Sequence, residues 1–325
     1  MPSSKLFDGQ ELLSQECQDF ISSLPKEKSI TLQPLYQYQG FWHNDRCLLA
    51  LISTQKHFEA QDSDVFVVSN PKCGTTWLKS LTFALLYRKQ HPVTAQNHPL
   101  LSSNAHDLVP YIDMNLFYDN KIPDMESFPS PRLLATHMPY VSLPDSIKNS
   151  SKCKLVYVSR DPKDAFVSLW HHGCNAGLHD LNSSMEEAFE DYCKGISFYG
   201  PIWDHVLQYW NQSLLNPQTT LFLKYEDMKA HPALHLRRLA DFLGCPFSAE
   251  EEESGVVDQI LNLCSFDHLI GLQVNKTGVS KWGVDNNVFF RRGQVGDAKN
   301  YLSEEMIKKI DGITRDRFSG SGLLS

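Results

Sequence analysis

Residues suited to anion binding are concentrated in residues 71–77, whose sequence is PKCGTTW. Gly74 permits a tight turn and a close approach of the backbone to a ligand. Thr75 and Thr76 then begin a segment whose leucines recur at helical spacing. Free N–H groups at the helix start, the Thr hydroxyls and the Lys72 ammonium would converge, which favours a bound phosphate or sulfate. The residue order is not that of the Walker motif, and an ordinary strand-to-helix turn is the alternative.

A second basic turn follows the apolar run 154–159 and precedes another helical segment. Arg160 offers a planar guanidinium suited to a phosphate, and Ser168 adds a hydroxyl one turn into the predicted helix. This unit repeats the logic of the first, so the two together indicate a ligand with two separated anionic groups. The alternative is a surface ion pair of Arg160 with Asp161 or Asp164.

A third basic stretch, residues 289–296, places Arg291 and Arg292 beside Gly293. Basic residues on a flexible backbone suit a segment that folds over a phosphate. The alternative is a charged loop in solvent.

One histidine, His137, ends the apolar run 132–137. Open α/β sheets bind ligands at the carboxyl ends of their strands, so this position favours a functional role. The alternative is a histidine that makes structural hydrogen bonds only.

Four apolar segments must position these residues: 64–70, 132–137, 154–160 and 219–225 are predicted to be strands. Helical patterns alternate with them, which predicts an α/β fold with a central, mostly parallel sheet flanked by helices. Helical patterns also run from 185 to 212, from 250 to 263 and from 304 to 318. No linker divides the chain, so one P-loop-like domain is predicted.

The segment from 97 to 131 is rich in Pro, Asp, Asn and aromatic residues. Long irregular segments often line a site. Its aromatic side chains could form the wall of an apolar pocket or could simply pack against the core: Tyr111, Phe117, Tyr118 and Phe128.

Composition excludes several classes of function. The 325 residues are 42% hydrophobic and 21% charged, with a formal net charge of −8. Such an acidic chain is not a general nucleic-acid binder, so any anion site must be a local basic pocket. No signal peptide and no membrane-spanning run are visible, and the eight cysteines lack metal-ligand spacing. A cytoplasmic protein with free thiols is predicted.

With these segments placed, the chain resembles the cytosolic sulfotransferases, especially those of plants, over nearly its whole length. Three motifs occur in the expected order: PKCGTTW at 71–77, YVSRDPKDAFVSLW at 157–170 and FFRRGQVGDAKNYL at 289–302. The resemblance implies transfer of a sulfuryl group from 3′-phosphoadenosine 5′-phosphosulfate (PAPS) to a hydroxyl of a small acceptor, without a metal. It also implies a donor and acceptor core at 64–302. Residues 1–45, which mix helical and loop signals, are predicted to form a surface cover.

The resemblance further implies roles for single residues. His137 matches the general base, and an unperturbed pKa near 6.5 suits that task. Lys72 matches the residue that stabilises charge on the bridging oxygen. The remaining donor contacts implied are the 5′-phosphate loop Cys73, Gly74, Thr75 and Thr76, the adenine-stacking Trp77, the 3′-phosphate ligands Arg160, Ser168, Arg291, Arg292 and Gly293, and the adenosine neighbours Tyr225, Ser265 and Phe266.

Four positions depart from the family pattern: Cys73 replaces Ser, Arg292 replaces Lys, Ala135 replaces a Lys of many animal members, and Ala298 replaces Trp. Loss of a packed Trp at 298 would cost about 3–5 kcal/mol, so a looser closing segment is expected. The residues that match the animal dimer motif place Lys299 and Lys308 as like charges, which predicts a monomer.

Two other functions compete with sulfuryl transfer. A P-loop nucleotide kinase shares the strand, loop and helix, but the Walker motif is absent. A catalytically silent small-molecule binding protein is the second alternative. The acceptor is open among flavonoids, hormones and other plant metabolites.

Overall fold

In the computed structural model of the chain, residues 15–118, 122–180, 182–281 and 283–324 are described. The strands in this part are β1 (Lys26–Glu27), β2 (Leu35–Tyr38), β3 (Phe41–His43), β4 (Val65–Val68), β5 (Leu133–Thr136), β6 (Lys154–Ser159) and β7 (Thr220–Lys224). The helices are α1 (Gln15–Ser22), α2 (Asp45–His57), α3 (Thr75–Leu86), α4 (Pro99–Ser102), α5 (Ala105–Leu108), α6 (Asp145–Lys148), α7 (Pro162–Asn175), α8 (Met185–Cys193), α9 (Ile202–Leu215), α10 (Tyr225–Ala230), α11 (Pro232–Phe242), α12 (Ala249–Glu253), α13 (Val256–Leu263), α14 (Phe266–Gly271), α15 (Gln273–Thr277) and α16 (Glu304–Phe318).

The central sheet has the strand order β5-β4-β6-β7, and all of its neighbouring strands are parallel. The predicted α/β fold is therefore confirmed, and each strand of the central sheet lies within its predicted range. β4 is buried at every position because helices cover both faces of the sheet. β1, β2 and β3 form a small antiparallel sheet beside it.

Successive residues of each central strand point to opposite faces, and each face has its own apolar core. Phe66 and Val68 pack with α7, α8 and α9 on one face, together with Tyr157. Val65 and Val67 pack with α3, α11 and α13 on the other. The sheet is thus fixed from both sides, which gives its carboxyl edge a rigid position.

The start of the sheet is held by a buried ion pair. Arg132 Nε donates to Asp64 Oδ1 at 2.7 Å, immediately before β5 and β4 begin. The paired strands therefore end together at the opposite edge, where Ser69, His137 and Arg160 follow β4, β5 and β6.

Two continuous helical patterns are interrupted in the structure. The pattern at 185–212 forms α8 and α9, because Gly195 adopts φ +87° and Pro201 restarts the helix. The pattern at 250–263 forms α12 and α13, because Gly255 adopts φ +72° between them. Both breaks occur at residues that disfavour helix interiors, although the apolar spacing continues across them.

Within the described residues, no helix is both long enough and apolar enough to cross a membrane. The predicted cover at the amino terminus lies partly outside the described residues.

Candidate functional site

A cavity of about 1110 Å³ opens at the carboxyl edge of the central sheet. Three segments that are distant in sequence line it: the turn after β4, the turn after β6 and the stretch before α16. Nearly all of the predicted site residues line this one cavity, namely Lys72, Gly74, Thr75, Thr76, Trp77, His137, Arg160, Ser168, Tyr225, Ser265, Phe266, Arg291, Arg292 and Gly293.

Cys73 is the exception among the predicted donor contacts. Its side chain is fully buried in the core with Tyr157, and its thiol contacts the Pro71 carbonyl at 3.8 Å. Burial raises the pKa of this thiol to about 12. Only the backbone of Cys73 can therefore take part in an anion site.

The turn after β4 brings backbone amides close to the cavity. Lys72 adopts φ +67° and Gly74 φ +105°, both in the left-handed region. A Cβ on Gly74 would lie 2.6 Å from the Tyr225 ring, so only glycine allows this close approach. No side chain caps α3, whose N-cap is Gly74. The first amides of α3 are thus available to an anion, which the helix dipole also favours.

The Lys72 amine is the cation of this turn. Burial lowers its pKa to about 7, and the positive charges of Arg160 and Arg291 contribute to that shift. A dianionic ligand in the cavity would offset both effects and favour the ammonium form. The free protein therefore holds Lys72 close to its protonation midpoint at neutral pH.

The turn after β6 supplies one guanidinium group, that of Arg160. Arg160 donates from Nη2 to the Gln294 carbonyl at 2.8 Å and lies 3.6 Å from Asp164. Arg160 pairs with Asp164, but the pair is buried rather than at the surface, and Arg160 also lines the cavity. Its role as a phosphate ligand stays a prediction. Within the described chain, the buried Nε atoms of Arg160 and Arg291 lack hydrogen-bond partners. Such unpaired buried donors are costly unless a ligand accepts from them.

Residues 289–302, which include Arg291 and Arg292, are held in place by two aspartates. Asp164 accepts from the backbone N–H of Gly296 at 2.7 Å and of Ala298 at 2.8 Å. Asp297 accepts from Arg292 Nη1 at 3.0 Å. Ala298 is buried in the core, and the expectation of a looser stretch there stays a prediction.

His137 has a defined tautomer. Its Nδ1 lies 2.6 Å from the Ser69 carbonyl oxygen, which can only accept, so Nδ1 carries the proton. In the neutral ring, Nε2 is then unprotonated and can accept a proton. Burial lowers the His137 pKa to about 3, well below the unperturbed value, so the ring is neutral at physiological pH.

Two further buried histidines support this region. His205 donates from Nε2 to the His137 carbonyl at 3.0 Å, and the Tyr157 hydroxyl lies 2.9 Å from its Nδ1. His43 packs edge-on against Tyr199 at 5.0 Å. Burial lowers the pKa of His205 to about 4 and that of His43 to about 3.

Aromatic rings line the side of the cavity next to the basic turns. Trp77 packs edge-on against Tyr225, with centroids 5.8 Å apart. A Cβ on Gly293, at φ +62°, would lie 2.6 Å from the Phe266 ring. Ser265 caps α14 by accepting from His268 N–H at 3.2 Å. This arrangement can hold a flat heterocycle between basic groups.

The aromatic residues of 97–131 divide between wall and core. Tyr111 and Tyr118 line the cavity, and the Tyr111 ring lies 4.7 Å from that of His137. Phe117 is fully buried in the core, and Phe128 packs against the same cluster. Both alternatives for this segment are therefore correct for different residues.

Sequence reasoning missed His106, which lines the cavity, and Lys79, which is buried behind it. Lys79 is fully buried in α3, and its Nζ lies 3.1 Å from His106 Nδ1. His106 Nε2 lies 3.0 Å from the Thr76 hydroxyl. The spacing of Thr76 and Lys79, which puts them on one side of a helix, was the available signal. No local signal connects His106 to them.

Metal binding has no visible basis in the described part of the chain, where no group of three or more His, Cys, Asp or Glu could hold an ion. The predicted independence from metal stays a prediction.

Comparison with known proteins gives the family. A family model for the sulfotransferase domain matches residues 62–322. Cytosolic sulfotransferase 5 of Arabidopsis thaliana is 49% identical over 315 residues, covering 96% of this chain and 97% of that protein. Cytosolic sulfotransferase 7 of the same plant is 45% identical over 325 residues, covering 99% and 98%.

Solved structures agree. The crystal structure of a candidate steroid sulphotransferase from Arabidopsis thaliana gives a TM-score of 0.78 at 42% identity, covering 97% of each chain. A mouse sulfotransferase complexed with PAP shares the fold, with a TM-score of 0.69 at 24% identity over 88% of this chain and 95% of that one. The cytoplasmic prediction agrees with the names of the Arabidopsis relatives. The chain belongs to the sulfotransferase family and is a plant-type cytosolic sulfotransferase.

Proposed function

We propose that this sulfotransferase moves the sulfuryl group of PAPS to a hydroxyl of a small organic acceptor, with His137 as the base and Lys72 beside the leaving oxygen. The observation that carries the proposal is the presence in one cavity of His137, whose Nδ1 carries the ring proton, and of two separate turns with basic side chains. Belonging to the family supports the reaction class.

The cavity suits a nucleotide that carries anionic groups at both its 5′ and 3′ ends. The uncapped start of α3 and the Lys72 amine fit the 5′ group. The guanidinium groups of Arg160 and Arg291 also line the cavity, and their positive charge fits the 3′-phosphate. Trp77 and Phe266 both line the cavity, and the adenine would bind between their rings.

The proposed chemistry divides between two residues. His137 Nε2 accepts the hydroxyl proton of the acceptor as its oxygen bonds to sulfur. The bond between sulfur and the 5′-phosphate oxygen breaks, and the protonated Lys72 stabilises the charge that forms on that oxygen. The products are the sulfated acceptor and 3′-phosphoadenosine 5′-phosphate (PAP), with the proton on His137. Positioned cations supply the stabilisation, so no metal is required in this scheme.

The acceptor side of the cavity favours aromatic or polycyclic compounds. Five aromatic residues that line the cavity are not among the predicted donor contacts, namely Tyr111, Tyr118, Trp170, Phe198 and Phe289. Flat, largely apolar molecules with one hydroxyl would fit such a wall. Flavonoids, hormones and other plant metabolites meet this description, and the Arabidopsis structure described as a candidate steroid sulphotransferase supports including steroids.

One experiment tests the donor without knowledge of the acceptor. Calorimetry should show that PAP binds at least about tenfold more tightly than adenosine 5′-phosphate, since the 3′-phosphate adds charge-assisted hydrogen bonds. Equal binding of the two nucleotides would contradict the proposed donor.

A second experiment tests the transfer. Incubation with ³⁵S-labelled PAPS and a mixed panel of phenols, steroids and hydroxylated acids should give a labelled product. Transfer of labelled phosphate from ATP would indicate a kinase instead, and tight PAP binding without any transfer would indicate a silent binding protein.

A further inference from the structure

A buried chain of hydrogen bonds lies behind the 5′-phosphate turn. It runs from Lys79 Nζ to His106 Nδ1 at 3.1 Å, and from His106 Nε2 to the Thr76 hydroxyl at 3.0 Å. Thr76 and His106 line the cavity, whereas Lys79 is fully buried beneath them. The chain therefore connects a buried amine to a hydroxyl at the anion site.

The imidazole in the middle of this chain is held rigidly. Its ring lies 4.2 Å from the ring of Phe289 and stacks on Tyr111 at 5.6 Å. Asn104 caps α5, accepts from the His106 N–H at 2.8 Å and donates to Asn275 at 2.8 Å. The orientation of the ring is thus fixed, and only the nitrogen that carries its proton can vary.

A lysine at position 79 would be unfavourable if its side chain only filled space, because burial of the amine costs free energy. Lys79 lies among apolar residues of α3, and its Nζ is 3.2 Å from the centroid of the Tyr111 ring. Burial lowers the Lys79 pKa well below its ordinary value, partly offset by Asp113 and Asp107. An apolar side chain of similar length would avoid the loss of amine hydration.

Proton positions follow from the partners. When the amine donates to His106 Nδ1, the neutral ring carries its proton on Nε2, and Nε2–H donates to Thr76 Oγ1. Thr76 then has its own hydroxyl proton left for a different acceptor. In the opposite arrangement, the Thr76 hydroxyl would donate its proton to His106 Nε2 and could not donate it to a ligand. An anion in the cavity therefore favours the first arrangement.

We propose that Lys79 and His106 are positioning residues for the donor, because their hydrogen bonds turn the hydroxyl proton of Thr76 toward a 5′-phosphate oxygen. The inference rests on the proposed function, since it assumes that the 5′-phosphate lies at the start of α3. It concerns binding of the nucleotide and adds no step to the transfer. PAP retains the 5′-phosphate and therefore reports the effect without turnover.

The test measures PAP affinity by calorimetry in Lys79→Met and His106→Phe, which keep size and remove the polar atoms. Each should weaken PAP binding by roughly 10- to 100-fold, the loss typical of a hydrogen bond to a charged group. His106→Gln should recover most of this loss, since its amide can donate to Thr76. His98→Phe is the matched control, because His98 is also buried but lies outside the cavity lining. It should leave PAP affinity unchanged.

A double-mutant cycle separates positioning from general damage. Thr76→Val should weaken PAP binding, and adding His106→Phe or Lys79→Met should weaken it no further, because both residues act through the Thr76 hydroxyl. Additive losses would overturn the proposal. If one histidine variant fails to fold, the Lys79 and Thr76 pair gives the same cycle.

Stability supplies a second readout. Lys79→Met should keep or raise the urea midpoint while it weakens PAP binding, whereas a structural lysine would give a lower midpoint and unchanged affinity. If the wild-type protein itself fails to bind PAP, the proposed function is wrong. If the wild type binds PAP and the variants bind it equally well, only the positioning role is wrong.

Discussion

Two strand-turn-helix units meet at the cavity, and they prepare an anion site by different means. In the first, β4 leads through residues 69–74 into α3, whose start has no side-chain cap. In the second, β6 leads into α7, whose N-cap Asp161 accepts from the Lys163 N–H at 2.8 Å. The helix start is therefore open to a ligand in the first unit and already occupied by a carboxylate in the second.

The difference corrects the idea that the second unit repeats the logic of the first. The first unit offers backbone amides and a lysine, whereas the second offers the Arg160 guanidinium and the Ser168 hydroxyl. Where a bond breaks, amides and an amine close to the developing negative charge stabilise the transition state. A site that only binds the ligand needs no more than fixed hydrogen-bond donors. We therefore expect chemistry at the first unit and affinity at the second.

The largest expected effect is on turnover at the first unit, next to which His137 lies. His137→Ala should lower kcat by about 10²- to 10⁴-fold, as is typical for loss of a general base. PAP affinity should stay within a few-fold of the wild type. Steady-state kinetics with saturating donor, together with calorimetry, would check this. Turnover comparable to the wild type would mean that another group takes the proton.

The second unit should show the reverse pattern. Arg160→Met removes a charged donor, so PAP binding should weaken by about 10- to 100-fold. At saturating donor, kcat should fall much less than in His137→Ala. Equal losses of kcat in the two variants would mean that the second unit takes part in the chemistry.

The Lys72 amine gives the first unit a pH dependence of its own. Its pKa of about 7 in the free protein rises when an anion binds, so binding takes up a proton above pH 7. PAP affinity should then fall by up to about tenfold per pH unit between pH 7.5 and 9, since one proton is linked to binding. Calorimetry in buffers of different ionisation enthalpy measures that uptake.

Lys72→Met is the control for this linkage. The variant should bind PAP more weakly and without the pH dependence. A slope that persists in the variant would assign the proton to another group in the cavity.

The smallest expected effect concerns the cap of the second unit. Asp161→Ala should destabilise the protein by about 0.5–2 kcal/mol in urea unfolding, because it removes the N-cap of α7. Asp161→Asn keeps a capping oxygen and should cost much less. A loss of PAP affinity in Asp161→Ala would show that the cap also contributes to the anion site.

The fold and the basic turns of the cavity were predicted from local signals, whereas Trp77, Tyr225, Ser265 and Phe266 were predicted only from the resemblance to sulfotransferases. β6 is a continuous apolar run, and residues 71–77 place a lysine, a glycine and two threonines within a single turn. Each such signal depends only on neighbours, so one sequence suffices.

The missed features depend on partners far apart in the chain. Lys79 meets His106 across 27 positions, and Asp164 holds Gly296 across 132 positions. The burial of Cys73 was also missed, since its side chain packs in a core formed with residues far away in the sequence, such as Tyr157. The helix break at Gly255 could be recognised only from its backbone φ angle, because the apolar spacing continues across it.

The buried neutral histidines around the proposed base have a consequence for tolerance to acid. His43, His137 and His205 keep lowered pKa values in the folded chain, whereas the unfolded chain would bind protons at each of them below about pH 6.5. Since the unfolded form then binds more protons, the free energy of unfolding decreases as the pH falls from 6.5. His137 itself remains neutral in the folded protein over that range. An acid limb in the activity profile should therefore be compared with the fraction of folded enzyme at each pH before it is assigned to protonation of the base.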